Sequence, residues 1–233
     1  MGDFAERVDR PLVSGKQVSV EQYPALSNTG VVRHAFITRV PGIDVSHDKA
    51  EALKRLEAAH CEVRRSIDVA DWPLLTVEQI HGDKIAIVDR PIESDKHFAA
   101  CDGLITNQHA TLPGIHVADC CAVYIVDPDT PAIGLVHSGK KGTELAIVAK
   151  AIEQMTEKFG SAPANMIVQL SPCIRPPHYE IDFAAEIIRQ CRSCGVKEVY
   201  DTGVCTACDL GRYYSYRAEK GKTGRMLALL GLV

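Results

Sequence analysis

The sequence lacks the run of roughly 18 apolar residues that a membrane-spanning helix requires, although 46% of its 233 residues are hydrophobic. Its first 17 residues mix acidic and basic side chains and contain no apolar run of signal-peptide length. Glu6 stands where an N-myristoylation motif needs Ser or Thr. These absences argue against a membrane or secreted protein, and we expect a cytoplasmic one.

The sequence also lacks a surplus of positive charge, because 26 lysines and arginines are set against 30 aspartates and glutamates. The resulting net charge of -4 gives no basic field that would steer the protein onto nucleic acid. We therefore expect no nucleic-acid partner. Any anion must be bound by a local cluster of positive groups.

The number of cysteines is not even, as complete pairing into disulfides would require. The chain has nine cysteines, and an odd number in a reducing compartment argues against a disulfide framework. Nine histidines accompany them. This composition favours metal binding, nucleophilic chemistry or core packing as the roles of the thiols.

Apolar spacing predicts an α/β protein of one domain. Residues 44–63 and 143–160 have helical spacing, with Ser46 and Thr143 as the expected caps, and 183–195 form a third helix. Strands are expected over 31–40, 73–82, 85–90, 103–108, 114–128, 132–139 and 166–173. Many strands with few, irregularly placed helices predict a mixed sheet, or packed sheets with helices outside.

Three of these strands carry a metal-capable residue beside a loop: His81, Cys120 and His137. Two imidazoles and one thiolate suit zinc, and three protein ligands leave the fourth tetrahedral position open for water or substrate. The alternative is that the histidines are separate strand-end residues satisfied by backbone, and that Cys120 is a small core residue. Spacing alone leaves both interpretations open.

A second group of thiols consists of two C-x-x-C pairs, Cys191 with Cys194 and Cys205 with Cys208. This spacing predicts a possible second, four-thiolate metal site. The alternative places Cys191 and Cys194 one turn apart at the end of a helix, and the other pair at the start of a turn.

Six motifs follow one another over most of the chain beyond residue 30: QIHG (79–82), CDGLITN (101–107), VADCCAVYIVDP (117–128), GLVHSGKKGT (134–143), SPCIRPPHYEID (171–182) and YSYRAEKGKTGRM (214–226). In this order they resemble the motifs QVHG, DGLVT, ADCxP, HAGWRGT, GPCIGPCCYEV and SYRRDGxTGR. These motifs belong to the laccase-domain, multicopper-polyphenol-oxidase-like proteins of the YfiH type. FITRVPG (36–42) similarly resembles the early FTTRxGG of that family.

The resemblance implies that His81, Cys120 and His137 are metal ligands, because they occupy the family's ligand positions. It implies a layered α/β/β/α sandwich, a single domain over 1–233 on which residues 1–30 pack as an N-terminal extension. It also makes Arg39 a candidate substrate-binding residue.

Members of the family are described as copper-dependent polyphenol oxidases, as zinc-dependent purine nucleoside phosphorylases that also deaminate adenosine, and as editing factors for cell-wall precursors. A single ion on one thiolate and two imidazoles lacks the several copper centres that four-electron reduction of oxygen needs. Zinc can activate a water for attack on a purine carbon, as in zinc deaminases. We therefore expect zinc, with copper as the alternative.

The loop SGKKGT (138–143) departs from the family, because Lys140 and Lys141 replace a Trp and an Arg. Lysines keep the positive charge that binds phosphate but lose ring stacking and bidentate binding. The alternative without a function is that this segment is a solvated turn before a helix. We predict a zinc-dependent purine nucleoside phosphorylase for adenosine, inosine and methylthioadenosine. It would use phosphate, have possible adenosine deaminase activity, and be a monomer or homodimer.

Two other function classes stay open. Cys120 could be the nucleophile of a hydrolase, activated by His81 or His137 and suited to amide cleavage in a cell-wall precursor peptide. The lost Trp and Arg would also be consistent with a non-catalytic binding relative. Metal content and the response to thiol alkylation distinguish these alternatives.

Overall fold

The structure, a computed structural model, describes residues 5–11 and 17–233. The strands in these ranges are β1 (Glu6–Pro11), β2 (Gln17–Gln22), β3 (Val32–Ile37), β4 (Leu74–Val77), β5 (Ile85–Val88), β6 (Lys96–Phe98), β7 (Gly103–Thr106), β8 (Leu112–Val117), β9 (Cys121–Asp127), β10 (Ala132–Ser138), β11 (Ile167–Leu170), β12 (Glu198–Asp201) and β13 (Met226–Leu232). The helices are α1 (Pro24–Ser27), α2 (Lys49–Ser66), α3 (Lys140–Glu144), α4 (Ile147–Phe159) and α5 (Phe183–Ser193).

The strands form two mixed sheets. The first has the order β1-β2-β3-β13-β8-β4-β6, and the second has the order β12-β11-β9-β10-β7-β5. Most neighbours are antiparallel, while β4 runs parallel to both β6 and β8, β5 parallel to β7, and β11 parallel to β12. Within the described part of residues 1–30, β1 and β2 form a hairpin at the edge of the first sheet, and β2 pairs with β3.

The two sheets pack face to face, with helices on the outside. In β9, Tyr124 belongs to the core between the sheets, whereas Val123 and Ile125 belong to the core under α4 and α5. Because successive side chains in a strand point to opposite faces, β9 needs apolar residues at every position when both faces are covered. Helix α2 packs on the first sheet through side chains such as Leu56. The predicted α/β/β/α sandwich is therefore confirmed.

The predicted helix caps are wrong. Asp48, not Ser46, caps α2, since its carboxylate accepts a hydrogen bond of 3.0 Å from the backbone N–H of Glu51. Thr143 lies inside α3, where its hydroxyl is 2.9 Å from that of Ser138. The expected single helix is split because Ala146 has a left-handed backbone with φ of 56°. The predicted stop at Gly160 is confirmed, with φ of 75°.

The predicted strand over 114–128 is two strands, β8 and β9, which belong to different sheets. The chain crosses between the sheets at residues 118–120, where Asp119 has φ of 84°. Apolar residues on both sides of this crossing hide it from a pattern analysis. The crossing places Cys120 at a corner between the sheets.

No helix in the described ranges is long and apolar enough to cross a membrane.

We expect acid to destabilise the fold through buried histidines. Burial lowers the pKa of His34 and of His60 to about 4 each, below the unfolded value of about 6.5. As pH falls from about 6.5 towards 4, the unfolded chain binds protons that the folded chain does not, so the free energy of unfolding should decrease by up to about 1.4 kcal/mol per pH unit for each histidine. Urea unfolding at a series of pH values measures this slope.

His34→Gln should reduce the pH dependence of the free energy of unfolding by up to about 1.4 kcal/mol per pH unit, the contribution of one proton, because glutamine does not titrate in this range. In the wild type the buried imidazole Nε2 accepts a hydrogen bond of 2.7 Å from the backbone N–H of Tyr23. The same substitution at the exposed His97 is the control. An unchanged slope in His34→Gln would contradict the assignment.

Candidate metal centre and its cavity

The structure brings His81, Cys120 and His137 together. His81 lies in the turn after β4, Cys120 at the crossing between the sheets, and His137 near the end of β10. Their donor atoms lie within 4.8 Å of one another, with His81 Nε2 3.9 Å from Cys120 Sγ. Three residues that are far apart in the chain thus converge at one point, as the sequence predicted.

Asp102, which precedes β7, holds this arrangement in place. Its carboxylate accepts backbone hydrogen bonds from Ile80 (3.1 Å), His81 (2.8 Å) and Gly82 (2.7 Å), which closes the turn that carries His81. The same carboxylate lies 2.9 Å from Nδ1 of His137. Asp102 therefore stabilises the turn and also orients a histidine.

The donor atoms fit a metal ion. Because Asp102 accepts the hydrogen bond from Nδ1–H of His137, Nε2 is the nitrogen left to bind an ion, the usual carboxylate–histidine–metal arrangement. Zinc bonds of about 2.3 Å to sulfur and about 2.0 Å to nitrogen give a sulfur–nitrogen separation of about 3.6 Å in a tetrahedral site. The 3.9 Å between His81 Nε2 and Cys120 Sγ is close to that value.

Cys120 and His137 form a polarised thiol–imidazole pair. Burial alone would raise the pKa of Cys120, but the charge of His137 and hydrogen bonds from His137 and His81 lower it to about 6. Burial alone would lower the pKa of His137, but the Cys120 thiolate and the Asp102 carboxylate raise it to about 9. Ion binding must therefore displace the His137 proton, which makes metal affinity depend on pH.

Two neighbours set the position of the Cys120 sulfur. Asp119 accepts hydrogen bonds of 2.7 Å from the Thr206 hydroxyl and 2.7 Å from the backbone N–H of Arg217, which ties the crossing to the C-terminal segments. Gly139 packs directly against the sulfur, because a Cβ at this position would lie 2.5 Å from Sγ. The glycine after the His137-Ser138 pair is thus required by close approach.

The three residues lie in the wall of a cavity of about 1000 Å³, at the upper end of the usual size range for ligand sites. Its described lining contains more cations than carboxylates. The cations are Lys49, Lys140, Lys141, Arg217, Lys220 and Arg225. The aromatic side chains are Tyr179, Phe183 and Tyr216, of which Tyr216 is 54% exposed.

Lys49 and Arg225 are two of the cations of this lining. Burial, followed by the charge of Arg225, lowers the pKa of Lys49. Burial likewise lowers the pKa of Arg225. Partly desolvated cations close to one another favour the binding of an anion between them.

Lys140 and Lys141 line the cavity and are exposed, as their predicted contact with substrate requires. They lie in the first turn of α3, not in a loop that precedes a helix, because α3 begins directly after Gly139.

Arg39 lies outside this cavity and lines a smaller one, and its role in substrate binding stays a prediction. Its guanidinium is 2.7 Å from the Glu219 carboxylate, donates to the Tyr213 carbonyl at 3.1 Å, and stacks 4.3 Å above the Tyr214 ring. Arg39 therefore anchors the C-terminal segment to the first sheet.

The predicted four-thiolate site is not formed among the described residues. Cys191 is a buried residue of α5, where burial raises its pKa to about 12, and Cys194 caps the end of that helix. Cys205 and Cys208 instead group with His178. The helical interpretation of Cys191 and Cys194 is the correct one.

Several cavity residues escaped sequence reasoning. Lys49 begins a helix that is distant in sequence from every metal ligand, and nothing in its neighbourhood marks it. Tyr179, Arg217 and Arg225 lie within the motifs SPCIRPPHYEID and YSYRAEKGKTGRM. The motifs were therefore the only available signal, and they did not separate anchoring residues from cavity residues.

Comparison with known proteins identifies the family. The family model for multi-copper polyphenol oxidoreductase laccase matches residues 28–186 and 178–233. The chain belongs to this family. The resemblance inferred from the six motifs is therefore confirmed.

Relatives with assigned names are moderately similar in sequence. Purine nucleoside phosphorylase YlmD of Bacillus subtilis is 25% identical, over 88% of this chain and 86% of the relative. A purine nucleoside phosphorylase of Clostridium acetobutylicum is 29% identical, over 66% of this chain and 75% of the relative. The crystal structure of Bacillus licheniformis hypothetical protein YfiH superposes with a TM-score of 0.77 at 20% identity, covering 92% of this chain and 96% of that one, and so shares the fold.

We expect Asp102→Asn to weaken Zn²⁺ binding by about 10- to 100-fold, because the amide cannot accept hydrogen bonds from both the turn and His137. Competition with a chromophoric chelator measures the affinity. Asp127→Asn is a matched control, since Asp127 is also buried and accepts two backbone hydrogen bonds, at 3.1 and 3.2 Å, in another turn. Equal affinities in the two variants would contradict the role given to Asp102.

Gly139→Ala should also disrupt Zn²⁺ binding, because the new methyl group would displace the Cys120 sulfur. Gly142→Ala is the matched control in the same segment, because the nearest atom to its new Cβ would be Ile147 Cγ2 at 3.4 Å, an ordinary contact. Zinc content and thermal unfolding of both variants test the difference. A fully loaded Gly139→Ala protein would show that the sulfur position is not limited by this contact.

Proposed function

We propose that the protein is a zinc-dependent purine nucleoside phosphorylase. The observation that carries the proposal is the presence, in one cavity, of the His81–Cys120–His137 group, a surplus of cations and three aromatic rings, of which Tyr216 is exposed. The relatives named purine nucleoside phosphorylase support the same substrate class.

Residues of the cavity would match two parts of the substrates, the inorganic phosphate and the purine ring. Lys140 and Lys141 would bind inorganic phosphate, since both are exposed ammonium groups on the cavity wall. Tyr216 would stack on the purine ring, because its exposed ring lies beside Arg225, whose guanidinium is 5.7 Å from the ring centroid.

In phosphorolysis a phosphate oxygen attacks C1′ of the ribose, the bond from C1′ to N9 breaks, and the purine leaves with a proton. The protein lowers the barrier by holding phosphate and nucleoside in line and by stabilising negative charge. Zn²⁺ at His81, Cys120 and His137 would act as a Lewis acid towards a substrate atom. Asp102 keeps the His137 ring in the orientation that this requires.

Deamination of adenosine is a second activity that the same zinc site would support. It differs from phosphorolysis in needing water and not phosphate. The product therefore decides between the two reactions: a free base with ribose 1-phosphate, or inosine.

The decisive experiment incubates zinc-assayed protein with adenosine, inosine and methylthioadenosine, with and without phosphate, and identifies the products. We expect free base and sugar phosphate that appear only with phosphate. Lys140→Ala and Lys141→Ala should each raise the KM for phosphate by about tenfold, about 1.4 kcal/mol. Lys158→Ala, an exposed cation outside the cavity, is the control. Inosine formed without phosphate would shift the assignment to deamination.

One observation favours a cysteine hydrolase as a second candidate. The donor atoms of Cys120 and His137 lie within 4.8 Å of each other, and His137 Nδ1 is 2.9 Å from Asp102, which is the order of nucleophile, base and orienting acid. Chelator-treated protein that still cleaves a cell-wall precursor peptide, and loses this activity on thiol alkylation, would support it. Activity restored only by Zn²⁺ would support the metalloenzyme.

Copper is the remaining alternative, because the family description names multi-copper oxidases. Oxygen reduction by four electrons needs several linked copper centres. Copper-loaded protein should therefore fail to oxidise a phenol, measured as oxygen uptake, and sustained uptake would favour an oxidase. A zinc-loaded protein without turnover on any of these substrates would favour a binding role.

A further inference from the structure

A second group of metal-capable side chains lies apart from the ligands His81, Cys120 and His137. His178 Nδ1 is 3.7 Å from Cys205 Sγ and 3.6 Å from Cys208 Sγ, and the three donor atoms lie within 4.8 Å of one another. These separations match the tetrahedral sulfur–nitrogen edge of about 3.6 Å expected for zinc.

Backbone contacts hold the donors in place before any ion binds. A parallel bridge joins Cys173 to Cys205, with hydrogen bonds of 3.2 Å from the Cys173 N–H to the Val204 carbonyl and 3.2 Å from the Thr206 N–H to the Cys173 carbonyl. The 3-10 turn Thr206–Cys208 then brings the second sulfur of the C-x-x-C pair to the same side as the first. His178 comes from the segment that follows Cys173.

The donor set and its exposure suit a thiophilic ion. Two thiolates and one imidazole are soft ligands that favour zinc over calcium or magnesium. Cys205 is buried, whereas His178 and Cys208 are exposed. An ion could therefore enter from solvent and would keep one coordination position for water.

An ion at this place would stiffen one wall of the cavity. Tyr179, next to His178, lines the cavity. Thr206, next to Cys205, donates to the Asp119 carboxylate at 2.7 Å, and Ile174 donates to the Asp119 carbonyl at 2.8 Å. The ion would cross-link the two segments that position Asp119, the residue before Cys120.

We propose that His178, Cys205 and Cys208 form a second zinc site, distinct from the candidate site at His81, Cys120 and His137. The proposal does not depend on the reaction that the cavity carries out. It depends on the convergence of two thiolates and one imidazole on segments that are already joined by backbone hydrogen bonds.

The test counts zinc ions. Full-length protein is stripped with a chelator under reducing conditions, reloaded with Zn²⁺, freed of excess by gel filtration and measured by mass spectrometry of the metal. We expect two ions per chain in the wild type, and one each in Cys208→Ser, His178→Gln and Cys120→Ala. Cys194→Ser, in the other C-x-x-C pair, should keep two and serves as the matched control.

Three results would overturn the proposal: one ion in the wild type with no loss in Cys208→Ser, loss of an ion in Cys194→Ser, or loss of both ions in Cys120→Ala. Circular dichroism checks that each variant folds, and the exposed Cys208 is the position least expected to disturb folding. Protein that binds two ions but does not turn over nucleosides would support this site while contradicting the proposed phosphorylase.

Discussion

The carboxylate of Asp102 is the interaction on which the candidate metal centre depends. It accepts three backbone hydrogen bonds from the turn that carries His81 and one from the ring of His137, a side chain on the neighbouring sheet strand β10. Burial alone would raise the pKa of Asp102, but the hydrogen bond and positive charge of His137 and the backbone N–H groups of Gly82 and His81 lower it. One buried charge thus links local turn geometry to the orientation of a ligand.

The centre also depends on where the chain changes sheets. Asp119, with φ of 84°, turns the chain from β8 into β9 and leaves Cys120 at the corner. A non-glycine residue in this conformation is strained, and its side-chain bonds to Thr206 and to the Arg217 backbone offset the strain. The crossing therefore couples the metal centre to the C-terminal segments, which also supply Tyr216 and Arg225 to the cavity.

Much of the fold could be predicted from the sequence, because apolar periodicity is a local property. The α/β class, the packed sheets and the helix over Phe183–Ser193 followed from it. The break at Asp119 and the split at Ala146 did not, since neither residue is a glycine or proline and both take left-handed backbones only because surrounding contacts hold them there. The edge hairpin of β1 and β2 was also missed, as a polar, two-stranded element has weak patterning.

For the site, the sequence by itself determined which residue types could bind a metal and, through ordered motifs, which histidines and which cysteine to choose: His81, Cys120 and His137. Only the tertiary structure decided which residues each of these side chains contacts. Arg39 and Lys140 are both cations within motifs. Arg39 forms an ion pair with Glu219, whereas Lys140 lines the cavity. Cys205 lies close to His178 and not to Cys191. The residue type of a side chain determines its chemistry, and this can be read from the sequence. Its neighbours depend on how segments that are distant in the chain pack together, and only the tertiary structure shows this.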